Sequence, residues 1–118
     1  MKVLVLDDDV TRLEAFKRNI PKKYEVVCVS RQIDAIGYLA TDNYYAVFLD
    51  HDLPDTNVAT GLNVAFFIKL AGDKYKDLKV IIHSRNLYGG TAMHIILPNA
   101  KVWPGIWDFP VDLENILK

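Results

Sequence analysis

Three short polar groups stand directly after three apolar runs. Asp7, Asp8 and Asp9 follow VLVL; Asp50, His51 and Asp52 follow VFL; His83, Ser84, Arg85 and Asn86 follow VII. Carboxylates, imidazoles and guanidinium groups are the side chains that hold cations, move protons and clamp phosphates. Carboxylates brought close together repel and resist ionisation unless a cation or ligand sits among them. Asp7, Asp8 and Asp50 are therefore candidate metal ligands, and hard oxygen donors suit Mg²⁺ or Mn²⁺. Asp50, His51, Asp52 and His83 form the candidate catalytic set. One histidine would take a proton from water and the other would protonate a leaving oxygen, with Asp52 orienting His51. Asp50 as a covalent nucleophile remains open beside its role as a metal ligand. Arg12 or Arg85 would clamp a phosphate bidentately, which a lysine cannot reproduce. Gly89 and Gly90 would let the backbone approach an anion at a helix start. With Ser84 and Asn86 these complete the candidate ligand-binding set.

Other polar and aromatic residues have plainer readings. Asp9 reads as a helix cap, and Asp42 and Asp55 as solvated loop residues. Trp103 and Trp107 read as core or rim aromatics, and His94 as a packing histidine. His51 and His83 also have a plain alternative, because histidines at strand ends serve as hydrogen-bonding struts.

The elements that must bring these groups together are legible as alternating patterns. Val3 to Leu6 is a continuous apolar run, the signature of a strand buried on both faces. Val10 to Ile20 reads as a helix capped by Asp9 and stopped by Pro21, with Val10, Leu13, Phe16 and Ile20 inward. Tyr24 to Val29 is a second strand. Ser30 is expected to cap a second helix with the stripe Ile33, Ile36, Leu39 and Ala40. Tyr44 to Leu49 is a third strand, followed by a loop over 51–60. Gly61 to Gly72 reads as a third helix, with Leu62, Ala65, Phe66 and Ile68 to Leu70 as its stripe. Val80 to Ile82 is a fourth strand, Asn86 to Gly90 a turn, and Thr91 to Leu97 a short helix stopped by Pro98. Ala100 to Trp103 is a short fifth strand, and Asp112 to Lys118 a last helical segment. Strand followed by helix, five times over, predicts an α/β fold: a parallel sheet with helices on both faces. Ligands then bind beyond the carboxyl ends of the strands, where the strand order reverses. All three polar groups would meet there.

Composition narrows the function classes. The 118 residues fit one domain, 1–118. Net charge is −1 with the basic residues spread out, so no field exists to capture long duplex nucleic acid, although a small nucleotide needs only a local site. The lone Cys28 lies in an apolar run and reads as a buried small hydrophobe in a reducing compartment. No apolar run approaches membrane-spanning length, and the N-terminus is unlike a signal peptide. A cytoplasmic location with no membrane partner is expected.

These motifs resemble a response-regulator receiver domain over nearly the whole chain. VLVLDDD resembles that family's first strand and acidic pair, and VFLDHDLPD its third strand and phosphoacceptor loop. The resemblance implies a flavodoxin-like, receiver-like three-layer sandwich with a five-stranded parallel sheet, and it puts Asp50 on the aspartate that becomes phosphorylated. Thr60-Gly61 fits the segment that follows, Ser84 the position of the switch Ser or Thr, and FPVDLENIL the segment leading into the last helix. Phe109 stands where receivers carry a lysine. DHD, HSRN and the following glycines resemble a narrower group, the cyclic-phosphate-processing receivers of bacterial and phage genomes, and Arg12 fits that pattern. The narrower resemblance implies a metal-dependent phosphoesterase. Its substrate would be a small cyclic nucleotide or an RNA end with a 2′,3′-cyclic phosphate. Two alternatives stand beside it. One is a receiver phosphorylated on Asp50 in phospho-signalling, acting through a partner protein. The other is a module that sequesters a cyclic nucleotide without turnover, using Arg12, Arg85, the glycines and Tyr88 or Trp103.

Overall fold

Val3, Leu4, Val5 and Leu6 are apolar at every position because the strand they form is covered on both faces. The computed structural model describes residues 1–50, 62–83, 96–103 and 113–118. Among the described residues there are five strands: β1 (Lys2–Leu6), β2 (Glu25–Val29), β3 (Ala46–Asp50), β4 (Lys79–His83) and β5 (Lys101–Trp103). They form one sheet in the order β2-β1-β3-β4-β5, every pair parallel. The helices are α1 (Val10–Asn19), α2 (Gln32–Thr41), α3 (Leu62–Leu70) and α4 (Leu113–Leu117), with a 3₁₀ turn at Gly72–Tyr75. The chain thus has a flavodoxin-like fold.

Alternate residues of β1, β3 and β4 serve the two cores. Val3, Val5, Phe48 and Ile81 meet Phe16 of α1, Ile20 just after it, and Leu113 and Leu117 of α4. Leu4, Leu6, Val47, Leu49 and Ile82 meet Ala35 and Leu39 of α2 and Val64, Ala65 and Ile68 of α3. Each fully buried Leu, Ile or Phe contributes roughly 1.5–3 kcal/mol relative to exposure, so both layers hold the sheet.

The helix faces differ from expectation. Val10 is exposed at the first position of α1, and Ala15 takes an inner position instead. On α2 the inner stripe is Gln32, Ala35 and Leu39, while Ile33 and Ala40 face outward. Gln32 can occupy an inner position because its side-chain oxygen accepts a hydrogen bond from the Asn63 backbone N–H at 3.1 Å. The N-cap of α2 is Arg31, with no side-chain cap bond, and not Ser30. On α3, Val64, Ala65 and Ile68 point inward, and Phe66 and Leu70 are exposed. β3 begins at Ala46 and extends to Asp50, because Asp50 still pairs with His83 of β4. Cys28 is half-buried, and burial pushes its thiol pKa up. Asp42, expected to be merely solvated, forms an ion pair with Lys2. No helix among the described residues is long and apolar enough to cross a membrane.

Candidate metal and phosphate site

The sheet reverses its order between β1 and β3. The chain leaves β1 for β2 on one side and later returns to β3 on the other. That crevice is where parallel sheets bind ligands. The register fixes what arrives there. Leu6 lies opposite Leu49, and Asp50 lies opposite His83, so Asp7, Asp50 and His83 end three adjacent strands in a row.

Asp7 is fully buried. Its backbone N–H donates to the Val29 carbonyl at 3.1 Å, which carries the β1–β2 ladder one residue past the strand. Its Oδ1 accepts from the Asp9 backbone N–H at 2.9 Å. Asp9 in turn caps α1 through the Arg12 backbone N–H at 3.1 Å, as its position predicts. That cap starts α1 close enough for the Arg12 side chain to reach back. Arg12 Nε donates to Asp7 Oδ2 at 2.8 Å and Nη2 to Asp7 Oδ1 at 2.9 Å, a two-pronged contact. Nη2 also lies 3.5 Å from Asp8 Oδ1 and 3.5 Å from Asp50 Oδ2. Nη1 lies 3.6 Å from Asp9 Oδ2. The hydrogen bond with Asp7 leads in raising the Arg12 pKa, and the charges of Asp7, Asp50 and Asp9 add to it against the opposing effect of burial.

Ligand oxygens of Asp7, Asp8 and Asp50 all lie within 4.8 Å of one another. Two of these residues are buried, while the Asp8 side chain is 29% exposed. A trio of oxygens with one edge open to water fits Mg²⁺, which takes a few carboxylates and keeps several waters. His83 lies on the inner side of this cluster. It is fully buried, its Nδ1 is 3.7 Å from Asp7 Oδ2, and its ring centroid is 5.3 Å from Phe16 and 6.3 Å from Phe48.

The structure thus brings together Asp7, Asp8, Asp50, Arg12 and His83. His51, Asp52, Ser84, Arg85, Asn86, Gly89 and Gly90 lie outside the described residues, as do Tyr88, His94, Trp107 and Phe109. Two contributions went unanticipated. Phe16 and Phe48 wall in His83, and Gln32 ties the start of α3 to α2. The second had a signal: a polar side chain three and seven residues before Ala35 and Leu39, on the inner stripe of an amphipathic helix.

The model of a family described as "Cyclic-phosphate processing Receiver domain" matches residues 1–99. No curated protein matches the sequence. Among solved structures, a response regulator from Thermotoga maritima in complex with Mg²⁺ and BeF is similar at 24% identity, with a TM-score of 0.74, covering 99% of this chain and 98% of that one. A receiver domain from Methylobacillus flagellatus matches at 23% identity and TM-score 0.74, covering 99% and 95%. A response regulator from Burkholderia pseudomallei with a phosphorylated aspartic acid, a calcium ion and citrate matches at 16% identity and TM-score 0.73, covering 98% and 64%.

Proposed function

Because the chain belongs to the cyclic-phosphate processing receiver domain family, we propose that it carries out divalent-cation-dependent phosphoryl chemistry at Asp50. The observation that carries this reading is the convergence of Asp7, Asp8 and Asp50 within 4.8 Å at the switch point of the sheet. A bound Mg²⁺ or Mn²⁺ would neutralise carboxylate charge and polarise phosphate oxygens. Asp7 and Asp8 would hold it, and Asp50 would complete the set. Asp50 is then the nucleophile: its carboxylate oxygen bonds to phosphorus while the bond from phosphorus to the donor's leaving oxygen breaks. Arg12 would bind the phosphate oxygens. His83, buried against Asp7, Phe16 and Phe48, would fix the rotamer of Asp7. Phosphorylation of Asp50 is the form of this chemistry that the fold relatives favour, since one of them holds a phosphorylated aspartic acid.

A second reading is hydrolysis of a cyclic phosphodiester. Three features favour it: the family's description, the DHD and HSRN motifs, and Phe109 in place of the receiver lysine. The burial of His83 leaves His51 as the better group for proton transfer to solvent or substrate in that case, with Asp52 to orient it. Both readings leave the protein acting on a small phosphate compound, through a partner protein if it signals.

One experiment separates them. The protein is incubated with Mg²⁺ and acetyl phosphate, and in parallel with a panel of 2′,3′-cyclic and cyclic oligonucleotide compounds, and both protein and compounds are read by mass. The expected result is a phosphoryl adduct on the protein that Asp50→Asn abolishes. Opened cyclic compounds, lost on chelation, would instead establish the second reading. Binding without adduct or turnover would leave a sequestering module and overturn both.

A further inference from the structure

We propose that Arg12 is a built-in cation that occupies the acidic cluster until a metal ion displaces it, and that the displaced guanidinium then takes the phosphate. The proposal rests on the reading that Asp7, Asp8 and Asp50 hold a divalent cation. Its basis is one nitrogen. Nη2 of Arg12 touches an oxygen of every member of the trio: 2.9 Å to Asp7, 3.5 Å to Asp8 and 3.5 Å to Asp50. It therefore stands where the carboxylates converge, which is also where an ion bound to all three would sit.

Magnesium demands oxygens at roughly 2.0–2.1 Å in near-octahedral geometry. Nη2 cannot keep its contacts to the same oxygens while an ion draws them in, and two cations at such distances repel strongly. The guanidinium must turn its Nη2 edge out of the trio. Arg12 is anchored on α1 by the Asp9 cap, so its side chain stays at the rim of the crevice. There it presents planar donors that match two phosphate oxygens. Metal and phosphate would then be coupled through one side chain. Without metal, Arg12 neutralises the carboxylates and keeps the buried Asp7 charge satisfied. With metal, Arg12 is released for the anion. Each ligand must favour the other by the same factor, as linkage requires.

The test measures binding, not activity. Mg²⁺ and Mn²⁺ are titrated into wild type and Arg12→Gln by calorimetry, with and without inorganic phosphate. Removing a competing cation tightens metal binding by roughly tenfold. In wild type, phosphate tightens metal binding further; in Arg12→Gln that coupling disappears. A second measurement uses the wild-type protein, in case Arg12→Gln does not fold. In ¹⁵N-arginine-labelled protein the Arg12 Nε–H, hydrogen-bonded to Asp7, exchanges slowly with solvent. Added Mg²⁺ speeds its exchange and shifts its resonance, and phosphate slows it again. Equal metal affinity in wild type and Arg12→Gln, or a wild-type Arg12 signal unmoved by bound metal, overturns the proposal and leaves the metal reading standing. Metal binding by neither protein overturns both. Binding by Arg12→Gln alone supports the displacement in its strongest form.

Discussion

Cys28 lies half-buried on β2, and Asp7, just past the end of β1, is fully buried against the Arg12 guanidinium. Burial dominates at Cys28, and although the Lys17 charge opposes it, the thiol pKa rises. A raised pKa leaves less thiolate at a given pH, and only the thiolate attacks. Folded protein at about pH 8 should therefore react with an aromatic disulfide reagent well below the rate of a free thiol, and urea should restore the full rate. Equal rates in the folded and unfolded states would show that Cys28 is neither shielded nor shifted. Asp7 is more deeply buried, yet it accepts from Arg12 and from the Asp9 backbone N–H. The sequence showed which residue types gather at the strand ends, because VLVL, VFL and VII each run straight into polar side chains. It did not show that His83 is walled in by Phe16 and Phe48. That enclosure comes from α1 lying across β3 and β4, a tertiary relation that no local spacing encodes.

Strands and helices were legible to different degrees, for a physical reason. A strand buried on both faces needs apolar residues throughout, so β1, β3 and β4 announce themselves. α3 reads LNVAFFIKL, apolar on nearly every side, and such a segment does not reveal which stripe faces the sheet. The structure chooses Val64, Ala65 and Ile68 and leaves Phe66 and Leu70 outside. This choice can be tested. Leu70 is 85% exposed, so Leu70→Gln should change unfolding free energy by no more than about 0.5 kcal/mol. Ile68 is 5% exposed within the core, so Ile68→Ala should cost about 2–5 kcal/mol. Urea denaturation measures both, and a large loss at Leu70 would mean that α3 is rotated. The Ser30 cap failed for a related reason. Ser, Thr, Asn and Asp favour caps, but here Gln32, the first residue of α2, is pinned by Asn63, and helix and cap shift one residue along.

At the scale of the whole molecule, the ligand edge and the opposite end of the sheet share one core. The last helix, α4, is held at its carboxyl end by donors from three places. Tyr45 Oη and Lys79 Nζ donate to the Leu117 carbonyl, and Lys101 Nζ donates to that of Ile116. Leu113 and Leu117 then enter the layer that contains Phe16 and Phe48, the residues around His83. Ion binding at Asp7, Asp8 and Asp50 must therefore stabilise the entire fold, because an unfolded chain has no converged trio to bind it. The gain is RT ln(1 + [L]/Kd), about 2.7 kcal/mol at a hundredfold excess of ligand over Kd. Leu117→Ala removes a fully buried side chain at the far end of the same layer and should cost about 2–5 kcal/mol. Mg²⁺ at that excess should offset much of this loss, raising the thermal midpoint of wild type and Leu117→Ala alike and leaving that of Asp50→Asn nearly unmoved. The loss and the gain should add, because the two sites share a core but no contact in the cluster. Thermal unfolding of the three proteins with and without Mg²⁺ decides the matter, and a wild-type midpoint indifferent to Mg²⁺ would remove the ion from the fold's function.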